Sequence, residues 1–261
     1  MTGQRRIRGV FFDLYGTLLV YGDMKAAWAA WLNMLYAQLT SRGLSLTTAE
    51  LADACEGLFS LPEPPPDGNH MTVFERRVLR LTQELGLKLD DRDISDTSKA
   101  CVESWQDYVT LAPNALTVLE QLAGKYHLAL ISNFDHPPHA HAVLSKNGLA
   151  EHFEHITISA EIGIKKPDPR IFRPALAATG LKTEEVAYVG DSEEDREAAL
   201  AAGMSFINIV RDRSDAGKIV TDFTTDWDTT ESTHASVENT VPTQYVIASL
   251  SELPQFIADN L

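Results

Sequence analysis

Positive charge, cysteine and long apolar runs are what this sequence has little of. Lys and Arg number 22 against 37 Asp and Glu, for a net charge of −15. Without a surplus of cations the chain cannot neutralise a phosphate backbone, which excludes nucleic acid as its partner. Only Cys55 and Cys101 occur in 261 residues, well separated and outside any CxxC or His-spaced pattern. That excludes a disulfide framework and a zinc knuckle, and predicts two buried thiols in a reducing, cytoplasmic compartment. No apolar segment has the length of a membrane span, and no apolar stretch of signal-peptide length follows Arg5, Arg6 and Arg8, so neither a signal peptide nor membrane contact is expected. An internal repeat is absent too.

What is present is a chain long enough for one large α/β domain, or for a core with a smaller companion. Ile7 to Phe12 is a short apolar run suited to a central parallel strand, and it is followed at once by Asp13-Leu14-Tyr15-Gly16-Thr17. A carboxylate just past the carboxyl end of a parallel strand faces the crevice where such sheets bind ligands. Gly16 lets the backbone turn there, and the Thr17 hydroxyl can orient Asp13 or meet a substrate.

Helical spacing of apolar residues then runs through Met24–Arg42, Thr47–Phe59, Met71–Gly86 and Asp91–Thr110, with a Pro-rich connector at 61–68. This predicts a helical, strandless block from about 20 to 111. Trp28, Trp31 and Trp105 fit its core better than a substrate-stacking role. Tyr21, Asp23 and Lys25, at its entry, read equally as substrate-facing residues or as a hinge and helix cap. From Pro113 the pattern alternates between strands at 127–132, 155–158, 186–190, 205–210 and 245–248 and helices near 113–124, 136–147, 169–179 and 193–202, which implies βαβ units. The polar stretch 212–242, which contains Trp227, reads as a long surface loop. The expected organisation is a core of 1–19 and 112–261 carrying an inserted helical cap, 20–111.

Three further motifs stand at predicted strand ends or helix starts. Ser132 and Asn133 close the strand at 127–132, where a hydroxyl and an amide can bind an oxyanion; an Asn in an ordinary turn is the plainer reading. In Lys165-Lys166-Pro167-Asp168-Pro169, Asp168 and Pro169 suit a helix start, which leaves the lysines unexplained. Lys166 is the better placed to point a fixed positive charge at a carboxylate or phosphate. In Gly190-Asp191-Ser192-Glu193-Glu194-Asp195 the spacing of Ser192 and Asp195 is that of a capping box, which leaves Asp191 unexplained. Asp13 and Asp191 together offer the hard oxygens that Mg²⁺ prefers, with Asp195 and Ser192 behind them.

These four motifs, in this order, resemble those of the haloacid dehalogenase superfamily. The resemblance implies a Rossmann-like parallel-sheet core with a helical cap of the family's first type. It implies that Asp13 attacks phosphorus to form an aspartyl-phosphate which water hydrolyses, with Thr17, Ser132, Asn133 and Lys166 completing the catalytic set. Tyr15, Gly16, Ser132, Asn133 and Lys166 would line the substrate, and Mg²⁺ would be held by Asp13, the Tyr15 carbonyl and Asp191.

Position 15 departs from the phosphatases of the family, most of which have there a second Asp serving as general acid and base. Asp-Leu-Tyr-Gly-Thr is similar instead to the metal-independent L-2-haloacid dehalogenases, whereas those enzymes have Ser-Ser-Asn where this chain has Gly190-Asp191-Ser192. An unneutralised Asp191 would oppose ionisation of Asp13, and a bound Mg²⁺ removes that conflict. Phosphonoacetaldehyde hydrolases, with Ala at position 15 and a cap Schiff-base lysine, fit less well, since Lys25, Lys88 and Lys99 stand in no recognisable motif. The expectation is a Mg²⁺-dependent hydrolase of small phosphorylated metabolites, monomer or homodimer. A dehalogenase, or a catalytically weak binding protein of the same fold, is the alternative. The histidines at 136, 139 and 141 are expected to border the site, without the ligand set of a zinc centre.

Overall fold

Gly9–Phe12 carries apolar side chains with nothing polar between them and forms β1, buried at every position. A computed structural model describes residues 7–66, 70–211 and 245–261 of the chain. They fall into two compact units, one built from 7–20, 111–211 and 245–261 and the other from 21–66 and 70–110. The further strands are β2 (Leu19–Tyr21), β3 (Val109–Leu111), β4 (His127–Ser132), β5 (His155–Ile158), β6 (Val186–Gly190), β7 (Ser205–Ile209) and β8 (Val246–Ile247). Six of them make one parallel sheet in the order β5-β4-β1-β6-β7-β8. The chain runs from β1 outward through β4 and β5, then returns to the opposite flank with β6. Strand order therefore reverses at β1, and the crevice past the carboxyl ends of β1, β4 and β6 is where such a sheet takes a ligand.

The helical unit holds α1 (Met24–Thr40), α2 (Thr48–Cys55), α3 (Val73–Glu84) and α4 (Asp91–Gln106). Each start is capped by a short polar side chain: Asp23, Thr47, Thr72 and Asp90 accept from the backbone, and Thr47 and Thr72 form reciprocal capping boxes with Glu50 and Glu75. Trp28, Trp31, Phe59 and Phe74 pack ring against ring in its core. Burying a side chain of this kind contributes about 1.5–3 kcal/mol. Arg77 is buried as well, and its Nη1 donates to the carbonyls of Leu58 and Leu61 at 3.0 and 2.8 Å. Cys55 and Cys101 are buried free thiols, and burial pushes Cys55 up to about 12, which leaves it inert at neutral pH.

In the sheet unit the helices are α5 (Ala115–Leu122), α6 (Pro137–Lys146), α7 (Ser159–Ile162), α8 (Arg173–Thr179), α9 (Glu193–Ala202) and α10 (Leu253–Asn260). Phe11, Ile131, Tyr188 and Phe206, from four neighbouring strands, share one buried cluster with Phe172, Ala175 and Ala198. Among the described residues no helix is long and apolar enough to cross a membrane.

The block at 20–111 is not strandless: β2 and β3 stand at its two ends and form a two-stranded sheet. Three-residue strands are too short to show a period, and their pairing joins segments far apart in sequence. The helix read to Thr110 stops at Gln106, ahead of β3, and the one read from Thr47 to Phe59 stops at Cys55, where Glu56 leaves helical backbone. The segment at 169–179 begins with a turn of 3₁₀ helix, Pro169–Phe172, before α8, and the strand read at 245–248 narrows to β8. Most of the Pro-rich connector is described, but its end and the polar stretch 212–242 lie outside the described residues.

Candidate active site

Asp13 follows β1 directly. Its N–H donates to the Val189 carbonyl at 2.9 Å, so the ladder to β6 continues past the strand and fixes where the side chain leaves the sheet. Its carboxylate is buried, 4% exposed. Lys166 Nζ donates to Asp13 Oδ1 at 2.5 Å, to Asp195 Oδ1 at 2.6 Å and to the Tyr188 hydroxyl at 3.2 Å. An ammonium has three protons, and these three oxygens take all of them.

Asn133 sets the lysine in place. Its Oδ1 accepts from the Lys166 N–H at 2.9 Å and its Nδ2 donates to the Lys166 carbonyl at 3.1 Å. Both ends of its carboxamide, expected to face an oxyanion, bond that peptide, which leaves one N–H of Nδ2 beyond these two bonds. Ser132, the last residue of β4, is 1% exposed, and its Oγ has no hydrogen-bond partner among the described residues. A buried hydroxyl left in this way costs about 1–3 kcal/mol, which a bound acceptor recovers.

Asp195, at the start of α9, is a hub. Oδ1 accepts from Lys166 and from the Tyr188 hydroxyl, the latter at 3.0 Å. Oδ2 accepts from the backbone of Asp191 and Ser192 at 3.2 and 3.1 Å and from Ser192 Oγ at 2.8 Å. Ser192 returns the bond by accepting from the Asp195 N–H, closing a capping box. A Cβ on Gly190 would lie 2.6 Å from Asp195 Cγ, which explains the glycine at the end of β6. Gly16, at φ +94°, is needed on two counts, since a Cβ there would stand 2.3 Å from both carboxylate oxygens of Asp191. Thr17 Oγ1 reaches Asp191 Oδ1 by a long contact of 3.4 Å.

Carboxylate oxygens of Asp13, Asp191 and Asp195 come within 4.8 Å of one another. Asp195 has its lone pairs filled by protein donors, so Asp13 and Asp191 are the pair with capacity for a cation. Carboxylate oxygens this close together are the hard donors that a divalent ion such as Mg²⁺ takes. Electrostatics agree. Burial, with Asp195 and Asp191 behind it, pushes the Asp13 carboxyl well above the usual carboxylate range, and Lys166 opposes this. Lys166 stays charged: burial works against its proton, but the two carboxylates outweigh burial. Asp195 is held low, because Lys166 and Ser192 overcome its own burial.

Tyr15 is half-buried, and its ring stacks on Phe134 with centroids 4.8 Å apart and planes at 15°. Burial and the nearby Asp13 push its hydroxyl far above the ordinary tyrosine value. Phe134 stacks in turn on His139, at 6.0 Å. His136 caps α6 and meets His139 edge to face, while His141 pairs with Glu161 at 2.9 Å. His136 and His139 thus share a wall of aromatic rings with Tyr15, whereas His141 is turned to Glu161. Sequence reading passed over Tyr188, Phe134 and Arg211. Tyr188 carries the one hydroxyl in the strand Val-Ala-Tyr-Val-Gly, and Arg211 stands just past β7 much as Asp13 stands past β1, so the strand-end rule had signals for both.

Fold and site together define an α/β protein with carboxylates gathered at the carboxyl ends of its strands. A profile described as haloacid dehalogenase-like hydrolase matches residues 7–203, and a second profile of similar hydrolases matches 163–253. The chain belongs to the haloacid dehalogenase-like hydrolases. It is 49% identical to phosphoserine phosphatase of Thermus thermophilus over 65 residues, 24% of this chain and 26% of that one. The chain thus spans about a quarter of that relative's length. Over 213 residues, 80% of this chain and 88% of the other, it is 29% identical to glyceraldehyde 3-phosphate phosphatase of Methanothermobacter thermautotrophicus. A 2-haloacid dehalogenase of Pseudomonas syringae shares the fold, with a TM-score of 0.62 at 22% identity over 97% of this chain and 99% of that one.

Proposed function

We propose that the protein is a Mg²⁺-dependent hydrolase of small phosphorylated metabolites, with Asp13 as its nucleophile. The observation that carries this reading is the gathering of Asp13, Asp191 and Asp195 with oxygens within 4.8 Å of one another, a set of hard donors that suits a divalent cation, beside a lysine bonded to Asp13 and Asp195. The phosphatase names of two relatives support it.

Asp13 attacks phosphorus, the P–O bond to the alcohol breaks, and the departing oxygen takes a proton from water. Water then cleaves the aspartyl-phosphate to inorganic phosphate and restores the carboxylate. Lys166 supports the developing charge, because esterification drains charge from the Asp13 oxygen and releases a proton of the ammonium toward the phosphoryl group. The Ser132 and Thr17 hydroxyls bind that group, and Asn133 holds Lys166. Asp13, Asp191 and the Tyr15 carbonyl would hold Mg²⁺, which when bound supplies charge neutralisation between two anions. Residues 20–111 act as the cap that selects the substrate. The buried free thiols suit a reducing cytoplasm.

Tyr15 favours a second reading, displacement of halide at carbon without metal. Phosphate release from a panel of sugar and nucleotide phosphates, alongside chloride release from chloroacetate, each with and without EDTA, separates the two. Ester turnover that EDTA stops supports the proposal. Chloride release undiminished by EDTA, with no ester reacting, overturns it in favour of the dehalogenase, and no turnover of any substrate favours a binding protein.

A further inference from the structure

Arg211 lies two residues past β7, and its guanidinium reaches back to the turn that follows Asp13. Nη1 donates to the Gly16 carbonyl, and Nη2 donates to the Thr17 carbonyl at 2.5 Å. The planar fork spans two successive carbonyls, one from each terminal nitrogen, in a geometry fixed in advance by the guanidinium. The turn is already closed on itself: the Gly16 N–H donates to Leu19 O at 2.7 Å, and the Leu18 and Leu19 N–H groups donate to Leu14 O at 2.9 and 2.8 Å. Those bonds fix its shape, whereas Arg211 fixes its position against the end of β7.

Position is what the site needs from this turn. The Asp191 carboxylate fills the place a Cβ of residue 16 would take, and Thr17 Oγ1 touches the same carboxylate. A displacement of Gly16 and Thr17 therefore moves the groups that border Asp191 and alters how Asp13 faces it. We propose that Arg211 is a positioning residue, which pins the Gly16–Thr17 turn against Asp191 and so sets the reacting geometry of Asp13. The proposal rests on the hydrolase reading given above, and one arm of its test is independent of turnover.

That arm is hydrogen–deuterium exchange. Arg211→Ala should speed exchange in peptides covering 13–19 by about tenfold or more, as the loss of an anchoring bond opens a local unit, while peptides of β4 stay unchanged. In the same variant kcat for a small phosphate ester should fall on the order of 10- to 100-fold with KM within about threefold, because misplacement by about 1 Å costs that much. Low concentrations of guanidinium ion should restore part of kcat, and Arg211→Lys should fall between the variant and the parent. Unchanged exchange at 13–19, or faster exchange with kcat unchanged, overturns the role. So does a kcat loss that merely follows the folded fraction and shows no guanidinium rescue. A parent protein inactive on every ester but with faster exchange in the variant sinks the hydrolase reading and keeps the Arg211 clamp.

Discussion

Asn133 grips Lys166 by its backbone, one amide against one peptide, with bonds of 2.9 and 3.1 Å running in opposite directions. The end of β4 is thereby coupled to the residue that holds Asp13. Asn133→Asp keeps the acceptor but sets a negative oxygen against the Lys166 carbonyl. The expected result is a kcat lower by about 10- to 100-fold with KM little changed, and a loss of about 1–3 kcal/mol in denaturant unfolding.

Asp13→Asn should abolish turnover, by about 10⁴-fold or more, as loss of a nucleophile does. It should also stabilise the fold. Burial and two neighbouring carboxylates oppose the Asp13 charge, so a neutral isostere removes an unfavourable term and thermal unfolding should shift upward by about 2–4 °C. An equal or lower midpoint would show that the Lys166 contact outweighs that burial.

Gly190→Ala places a methyl 2.6 Å from Asp195 Cγ and cannot be absorbed without moving the hub of the site. A destabilisation of about 1–3 kcal/mol is expected from overpacking. Gly148→Ala is the control, strained in backbone at φ +66° but open in space. Both variants should lose stability, and only Gly190→Ala should also lose activity per folded molecule.

His139 gives stability a pH dependence. Burial chiefly, then His136 and Lys146, lowers it from about 6.5 to about 4. A base held below its ordinary value binds fewer protons folded than unfolded, so its contribution is present above pH 6.5 and is lost as pH falls toward 4. Urea unfolding at pH 7.5 and 4.5 should show the parent losing more stability on acidification than His139→Gln. Parallel losses would rule this out.

Asp13, Ser132, Lys166 and Asp191 were legible as candidates because each stands at a strand end or helix start that does not account for its polarity, and Asn133 because it stands beside Ser132. What each one touches was not legible. The Asn133 amide could be read as open to an oxyanion because nothing in Ser-Asn announces a partner 33 residues away. The three oxygens around Lys166 come from β1, β6 and α9, a convergence that only the sheet order creates. Long, periodic elements were visible. The three-residue strands β2 and β3 were not, because pairing between distant segments, rather than local pattern, makes them.

The stack of Tyr15 on Phe134 constrains how this chain could acquire a different chemistry. An aspartate at position 15 would take away a ring that Phe134 and, behind it, His139 pack upon, and would add a fourth carboxylate beside a cluster of three, two of them buried. Position 15 is therefore a poor point of entry for a single-step change. Chemistry at position 15 and packing at 134 and 139 are joined through one stack of rings, so a change made for the first is felt by the second.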